Sequence, residues 1–249
     1  MPERFKEMGY WELVTRQMSI VTKSEQTRFK DAKIAVMGCG GIGGEVIEML
    51  ARMGVGELNV VDNDYFDLSN INRQVLSNFE NLGLSKSEVA KEKVRQINPY
   101  TKVIAFKDDI NEENISQIID DSDIIIDCLD NLLTRVIVSR YAKSNNIPFI
   151  HGAIHGTLGQ ITVFTNEKDI DYETMFNLPS KDKKLDETIK DELNKLASEK
   201  PPVIGPTANI VGCMQAIEAF KIITGIGKIV TAPEILNFDL LNLATFSIE

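Results

Sequence analysis

Seven polar side chains are spaced so that one site could use them all: Asp62, Asp64, Asn70, Arg73, Gln74, Lys86 and Asp130. They follow a glycine run, Gly38, Gly40 and Gly43 in G-x-G-x-x-G spacing, with Gly41 and Gly44 added. The glycines let backbone approach a phosphate, and the N–H groups of a following helix can bind it. Phosphate oxygens attract Arg and Lys, and Mg²⁺ takes carboxylate together with phosphate oxygens. Two cations and three carboxylates beside such a turn suit a nucleoside triphosphate with Mg²⁺. They suit a nicotinamide cofactor less well, because its pyrophosphate carries less charge and needs no metal. The glycines alone leave NAD, FAD and ATP open.

The elements that must position these groups are legible around them. Lys33 to Met37 is a short apolar run with β-branched residues, as in a buried strand. Val46, Ile47, Leu50 and Ala51 repeat at helical spacing, and Glu57 to Val61 is a second strand closed by Asp62. Strand, glycine turn, helix, strand and acid make the nucleotide-binding βαβ unit. A long polar connection from Asp62 to Gln74 follows, of the kind more often functional than not. Ser85 to Glu88 reads as a capping box opening a helix that Asn98-Pro99 stops. Lys102 to Phe106 and Asp123 to Asp127 are further strands, with a short helix around Ile115, Ile118 and Ile119. Ligands bind beyond the carboxyl ends of parallel strands, so Asp130 belongs on the rim with the glycines and Asp62. Asp130 could also cap a helix over Leu132 to Ser144.

The chain then gives strands at Pro148 to His151 and Gln160 to Phe164. His151 and His155 are the only histidines and are read as structural. Glu167 to Lys200 is dense in charge of both signs. Its apolar stripe of Leu185, Ile189, Leu193 and Leu196 predicts an amphipathic surface helix with an extended loop, a candidate lid. Thr207 to Ile223 is a long apolar helix stopped by Gly225. Ile235 to Phe238 and Ala244 to Ile248 form a terminal antiparallel pair. At the other end, residues 1–31 are helical in character, with Tyr10, Leu13, Gln17 and Met18 able to share a face.

The expected fold is α/β: a Rossmann-like, mostly parallel sheet flanked by helices and extended by C-terminal antiparallel strands. The 249 residues read as one domain, with a helical segment 1–31, a nucleotide-binding core 32–150 and a remainder 151–249. A net charge of −10 argues against non-specific nucleic-acid binding and against an anionic membrane surface. Three cysteines without a C-x-x-C pair give neither a disulfide scaffold nor a cysteine zinc site. No apolar stretch reaches the roughly 18 residues of a membrane span, and the first residues lack a signal-peptide core. A cytoplasmic protein fits these features.

The sequence resembles the ThiF/MoeB/HesA family, relatives of the ubiquitin-activating enzymes. The matching segments include Gly38 to Gly43, V-D-N-D at Val61 to Asp64, S-N-I-N-R-Q at Ser69 to Gln74, and Lys86. They continue with D-C-L-D-N at Asp127 to Asn131, Gly159 to Phe164, Pro201 to Pro206 and Gln215 to Lys221. The resemblance implies that ATP and Mg²⁺ adenylate the C-terminal glycine of a small ubiquitin-like β-grasp protein ending in Gly-Gly. It implies nucleotide contacts at Gly38, Gly40, Gly41, Gly43, Asp64 and Asn131. Asp62 would hold the ribose, Arg73 and Lys86 the phosphates with Asn70 and Gln74 nearby, and Asp130 the Mg²⁺. Arg16 would reach the ATP of a neighbouring subunit, which requires a homodimer.

Two departures bear on this. Where relatives carry a zinc-binding cysteine pair, Asp171 to Phe176 reads D-Y-E-T-M-F, so no zinc is expected. No cysteine lies in Glu167 to Lys200, and Cys39, Cys128 and Cys213 are expected to pack, Cys213 in the core. Adenylation without a thioester step follows. Alternatives are a relative that adenylates a small molecule or a tRNA base, a non-catalytic nucleotide-binding partner, and an NAD-binding oxidoreductase.

Overall fold

The structure is a computed structural model, and it describes residues 9–165, 167–168, 170–197, 201–242 and 247–248. Five strands run parallel: β1 (Lys33–Met37), β2 (Glu57–Val61), β3 (Lys102–Phe106), β4 (Ile124–Asp127) and β5 (Phe149–His155). Three antiparallel strands extend them: β6 (Leu158–Phe164), β7 (Leu236–Asp239) and β8 (Ser247–Ile248). The order across the sheet is β3-β2-β1-β4-β5-β6-β7-β8. From β1 the chain winds outward through β2 to β3, then returns to lay β4 on the other side of β1. That reversal opens a crevice at the carboxyl ends of β1 and β4, where α/β sheets bind ligands.

Side-chain alternation in β1 explains why both faces are covered. Ile34 and Val36 join one apolar cluster, and Ala35 and Met37 join the other, because successive strand residues point to opposite faces. On the first face lie α2 (Lys23–Asp31), α3 (Gly41–Met53), α4 (Lys86–Ile97) and α9 (Gly205–Thr224). On the second lie α5 (Ile115–Ile119), α6 (Leu132–Ser144), α7 (Tyr172–Met175) and α8 (Glu187–Leu196). Phe29 and Phe220 meet edge to face at 4.8 Å, fastening α2 to α9.

The N-terminal segment forms α1 (Gly9–Leu13), a 3₁₀ turn Thr15–Gln17, and α2. The single helical face expected from Tyr10 to Met18 is not formed, because the α-helix ends at Leu13 and tightens into the turn. These residues serve the end of α3 instead. Tyr10 Oη donates to Gly54 O at 2.7 Å, and Gln17 Nε2 and Gln26 Nε2 donate to Met53 O at 2.9 and 3.0 Å. The last carbonyls of a helix have no partner within it, so these side chains supply the donors.

Other local expectations are corrected. Ser85 makes no capping bond; its hydroxyl faces Ser87 Oγ at 3.2 Å, so the capping box is absent. Asn131, not Asp130, caps α6, accepting from Thr134 N at 2.8 Å. β5 runs on to His155 and turns through Gly156, φ +63°, directly into β6. Cys213 is exposed on the outer side of α9 beside Glu45 rather than in the core. Leu185, Ile189 and Leu193 are buried as the stripe predicts, whereas Leu196 is exposed. Of the expected last strand, residues 244–246 lie outside the described residues.

The charged segment is fastened to α6. Arg140 binds Glu173 through Nε at 2.7 Å and Nη2 at 2.8 Å, and its Nη2 also donates to Ser180 O at 2.8 Å. Lys143 pairs with Asp171 at 2.6 Å. From there α8 leads back to the crevice, where Ala197 and Pro201 form part of the wall. Among the described residues, no helix is long and apolar enough to cross a membrane.

Candidate active site

The crevice between β1 and β4 opens into a cleft of about 360 Å³. Its floor is the glycine turn. Gly38 has φ +101°, and a Cβ on Gly43 would lie 1.9 Å from Gly38 O. Only glycine lets α3 begin that close to the end of β1. The turn is also fastened to β2: Asp62 accepts from Cys39 N at 2.8 Å through Oδ2 and from Asp64 N at 2.9 Å through Oδ1. Burial raises the Asp62 carboxyl above its usual range, against the lowering effect of those two amides. Its oxygens keep further lone pairs for a ligand hydroxyl.

The connection after β2 folds back on itself through the Tyr65–Ser85 bridge. That return carries Lys86, 6% exposed, into the cleft wall. Lys86 Nζ lies 2.8 Å from Asp64 Oδ2. Arg73 lines the opposite part of the wall, oriented by donation from Nη1 to Ser69 O at 2.9 Å and Asn72 Oδ1 at 2.8 Å. Gln74 is buried in the same wall, and its Oε1 has no hydrogen-bond partner among the described residues. A buried acceptor without a partner is costly; a bound ligand that donates to it removes the cost.

Gly38, Gly40, Gly41, Asp62, Asp64, Arg73, Gln74, Lys86, Asp130 and Asn131 therefore all line one cleft. Gly43 lies just behind the turn. Asn70 is not part of the wall: it is buried, and its Oδ1 accepts from Asp67 N at 3.1 Å in a capping box that shapes the loop. Arg16 is exposed in the 3₁₀ turn and does not line this cleft. Among the described residues, no three metal-ligating side chains come together. A carboxylate on this wall such as Asp130 could hold Mg²⁺ only if most of the ion's shell were left to phosphate oxygens and water.

Several groups escape sequence reasoning. Asp108, Asp109 and Ile110, just beyond β3, close one end of the cleft, and Gly152, Ala153 and Val203 line the other. Beneath the wall, Asp127, with no exposed surface, takes Arg135 Nε at 2.7 Å and His151 Nδ1 at 2.6 Å on the same oxygen, Oδ2. Gln215, from α9, donates to Asp127 O at 2.8 Å and Ile150 O at 3.1 Å, tying together the ends of β4 and β5. The only local hint was an acid closing an otherwise apolar strand. Its partner His151 stands opposite it through the β4–β5 pairing, which spacing does not reveal.

Burial alone would raise the Asp127 carboxyl, but Arg135 and His151 outweigh burial and hold it below the usual range. His151 is pushed down by burial, with Asp127 opposing. Below about pH 6.5 the unfolded chain therefore takes up a proton that folded His151 refuses, and stability falls as pH drops. Asp127 extends the loss into acid: its contribution is complete above the ordinary carboxylate range and disappears as pH falls through its lowered value. The melting temperature is expected to fall steadily between pH 7 and pH 5, and His151→Gln should flatten that limb. An unchanged slope in the variant would assign the titration elsewhere.

Cys39 is fully buried. Burial pushes its thiol and that of Cys128 well up, and burial with Glu45 raises Cys213 to about 11. None of the three has the electropositive setting that activates a thiolate.

The fold and cleft define an α/β nucleotide-binding protein with a site of mixed charge at its topological switch point. The chain belongs to the ThiF family, which it matches over residues 14–249. It is 34% identical over 226 residues to the molybdopterin-synthase adenylyltransferase of Haemophilus influenzae, covering 89% of this chain and 88% of that protein. It is 32% identical over 202 residues to the adenylyltransferase and sulfurtransferase UBA4 of Saccharomyces cerevisiae, covering 81% of this chain but 44% of the yeast protein. The crystal structure of E. coli MccB with ATP superposes with a TM-score of 0.79 at 23% identity, covering 100% of this chain and 73% of that one. That likeness shows the fold.

Proposed function

We propose that this protein is an ATP-dependent adenylyltransferase that activates the C-terminal glycine of a small ubiquitin-like sulfur-carrier or modifier protein ending in Gly-Gly. The observation that carries the reading is the cleft itself: Lys86, Arg73 and Asp130 face one space above a phosphate-binding turn. Relatives named as adenylyltransferases over most of this chain support it.

The chemistry asks little of a base. A C-terminal carboxylate is already ionised at neutral pH. It attacks the α-phosphorus of ATP, the bond to the bridging oxygen breaks, and pyrophosphate leaves with that electron pair. The needs are alignment and neutralised phosphate charge. Arg73 and Lys86 supply positive charge, Asp62 holds the ribose hydroxyls, and the amides of the Gly38–Gly43 turn approach the phosphates. Asp130 would hold Mg²⁺, which screens the triphosphate when bound. Gly152, Ala153, Pro201 and Val203 line the cleft, and side chains this small would admit a glycine tail. His151 is committed to Asp127 and takes no part.

In this reading the chain is one functional domain: 32–150 holds the nucleotide, 151–249 receives the carrier, and the charged segment crosses near the cleft. The working form is a homodimer in which Arg16 of one copy reaches the nucleotide of the other. The protein acts in the cytoplasm, without zinc and without a thioester step on its own cysteines.

The test is ATP–pyrophosphate exchange with small proteins ending in Gly-Gly. Exchange that requires the carrier, disappears when its last glycine is removed, and is accompanied by an AMP adduct in mass analysis is the expected result. No exchange with any such carrier, together with tight NADH binding and no ATP binding, would overturn the assignment in favour of an oxidoreductase.

A further inference from the structure

Arg135 stands where an arginine is hard to keep. It lies in the first turn of α6, where the unpaired N–H groups favour anions. Its side chain is only 14% exposed. Partners on three sides hold it there. Nε is 2.7 Å from Asp127 Oδ2, Nη2 donates to Leu129 O, and the Tyr172 side chain is hydrogen-bonded to the guanidinium. Apolar residues of similar volume often replace a buried ion pair at no loss of stability, so packing alone gives no reason for this arrangement.

Its partners bracket the turn that carries Asp130. Asp127 ends β4, and its Oδ1 accepts from Leu129 N at 3.0 Å. Leu129 is thus held by Asp127 through its N–H and by Arg135 through its carbonyl. On the far side, Asn131 is fixed as the cap of α6. Asp130 sits between two pinned residues, and Arg135 itself lines the same cleft. A planar guanidinium can serve three directions at once, which a lysine ammonium on a flexible stem does not reproduce.

We infer that Arg135 is a positioning residue for the divalent cation of the nucleotide complex: by clamping Asp127 and the Leu129 carbonyl it sets how Asp130 faces the cleft, and through Tyr172 it ties that turn to the charged segment. This rests on the nucleotide-and-Mg²⁺ reading above.

The test uses Mn²⁺ as the probe, with free ion followed by electron paramagnetic resonance in the presence of a non-hydrolysable methylene analogue of ATP. Nucleotide affinity is measured separately in EDTA. Arg135→Lys is expected to weaken Mn²⁺ binding about tenfold, the lower end of what lost support around a metal ligand does, with nucleotide affinity in EDTA unchanged. If Arg135→Lys fails to fold, the double variant Asp127→Asn/Arg135→Gln decides, because it removes both charges together and strands neither; the same loss of Mn²⁺ affinity is expected. Parental Mn²⁺ affinity in a cooperatively melting variant overturns the inference. So does an equal loss of nucleotide affinity without metal, which marks a purely structural role. A parent protein that binds no Mn²⁺ with the nucleotide overturns the underlying reading as well.

Discussion

Lys86→Met is expected to lower carrier-dependent pyrophosphate exchange roughly 10²–10³-fold while leaving the unfolding midpoint almost unchanged. The two halves of this result have different causes. The Lys86 side chain is 7% exposed, and its partner Asp64 is 61% exposed. Removing the cation strands no buried charge, because water already reaches the carboxylate. Met replaces the apolar stem, and the first turn of α4 no longer opposes a cation against its dipole. Catalysis loses more. The cleft is walled by Asp62, Asp64, Asp108, Asp109 and Asp130, so without Lys86 a triphosphate meets these carboxylates with only Arg73 and Arg135 to offset them. A unit charge at ~4 Å interacts with ~4 kcal/mol in a partly buried site, which is about the size of the predicted loss. Exchange kinetics with paired urea titrations check both halves. Full exchange activity in the variant would remove the triphosphate from this cleft.

Asp127→Asn should act the other way, with stability as its main casualty. The substitution leaves Arg135 buried without its counter-charge and gives His151 a neutral amide in place of a carboxylate. Breaking a buried pair from one side costs about 3–5 kcal/mol, which lowers the melting temperature of a chain this size by roughly 10 °C. The double variant with Arg135→Gln should recover much of the loss, because the stranded charge is gone. Urea melts of the parent, both single variants and the double variant measure the coupling directly. A loss below about 1 kcal/mol in Asp127→Asn would mean that water reaches Arg135 and that the cluster is not a sealed one.

Much of this protein was legible in local pattern. The apolar runs at Lys33–Met37, Glu57–Val61 and Lys102–Phe106 became strands with the expected bounds; in β1 and β2 the cause is burial on both faces, which leaves a continuous apolar signature, whereas β3 is a half-buried edge strand. The glycine turn was legible because no residue but glycine tolerates the Gly38–Gly43 approach. Local pattern failed where rotation or competition between neighbours decided the outcome. Asp130 and Asn131 can both cap a helix, and only the backbone at Asn131, φ −125° and ψ 145°, shows which one does. Cys213 lies in a helix apolar nearly all round, since α9 packs against α3 and β5 together; the exposed strip with Cys213 and Ile217 depends on the helix's rotation, which composition does not encode.

By itself, then, the sequence determined the parallel sheet, the phosphate-binding turn and the polar groups of the rim, since each follows from residue type and short-range spacing. The tertiary structure decided which of those groups share a wall, that Asn70 shapes the loop from behind it, and that Asp127 and His151 meet across 24 residues. The Asp127–His151 contact arises from strand order, and a chain read residue by residue carries no measure of which strand will lie beside which.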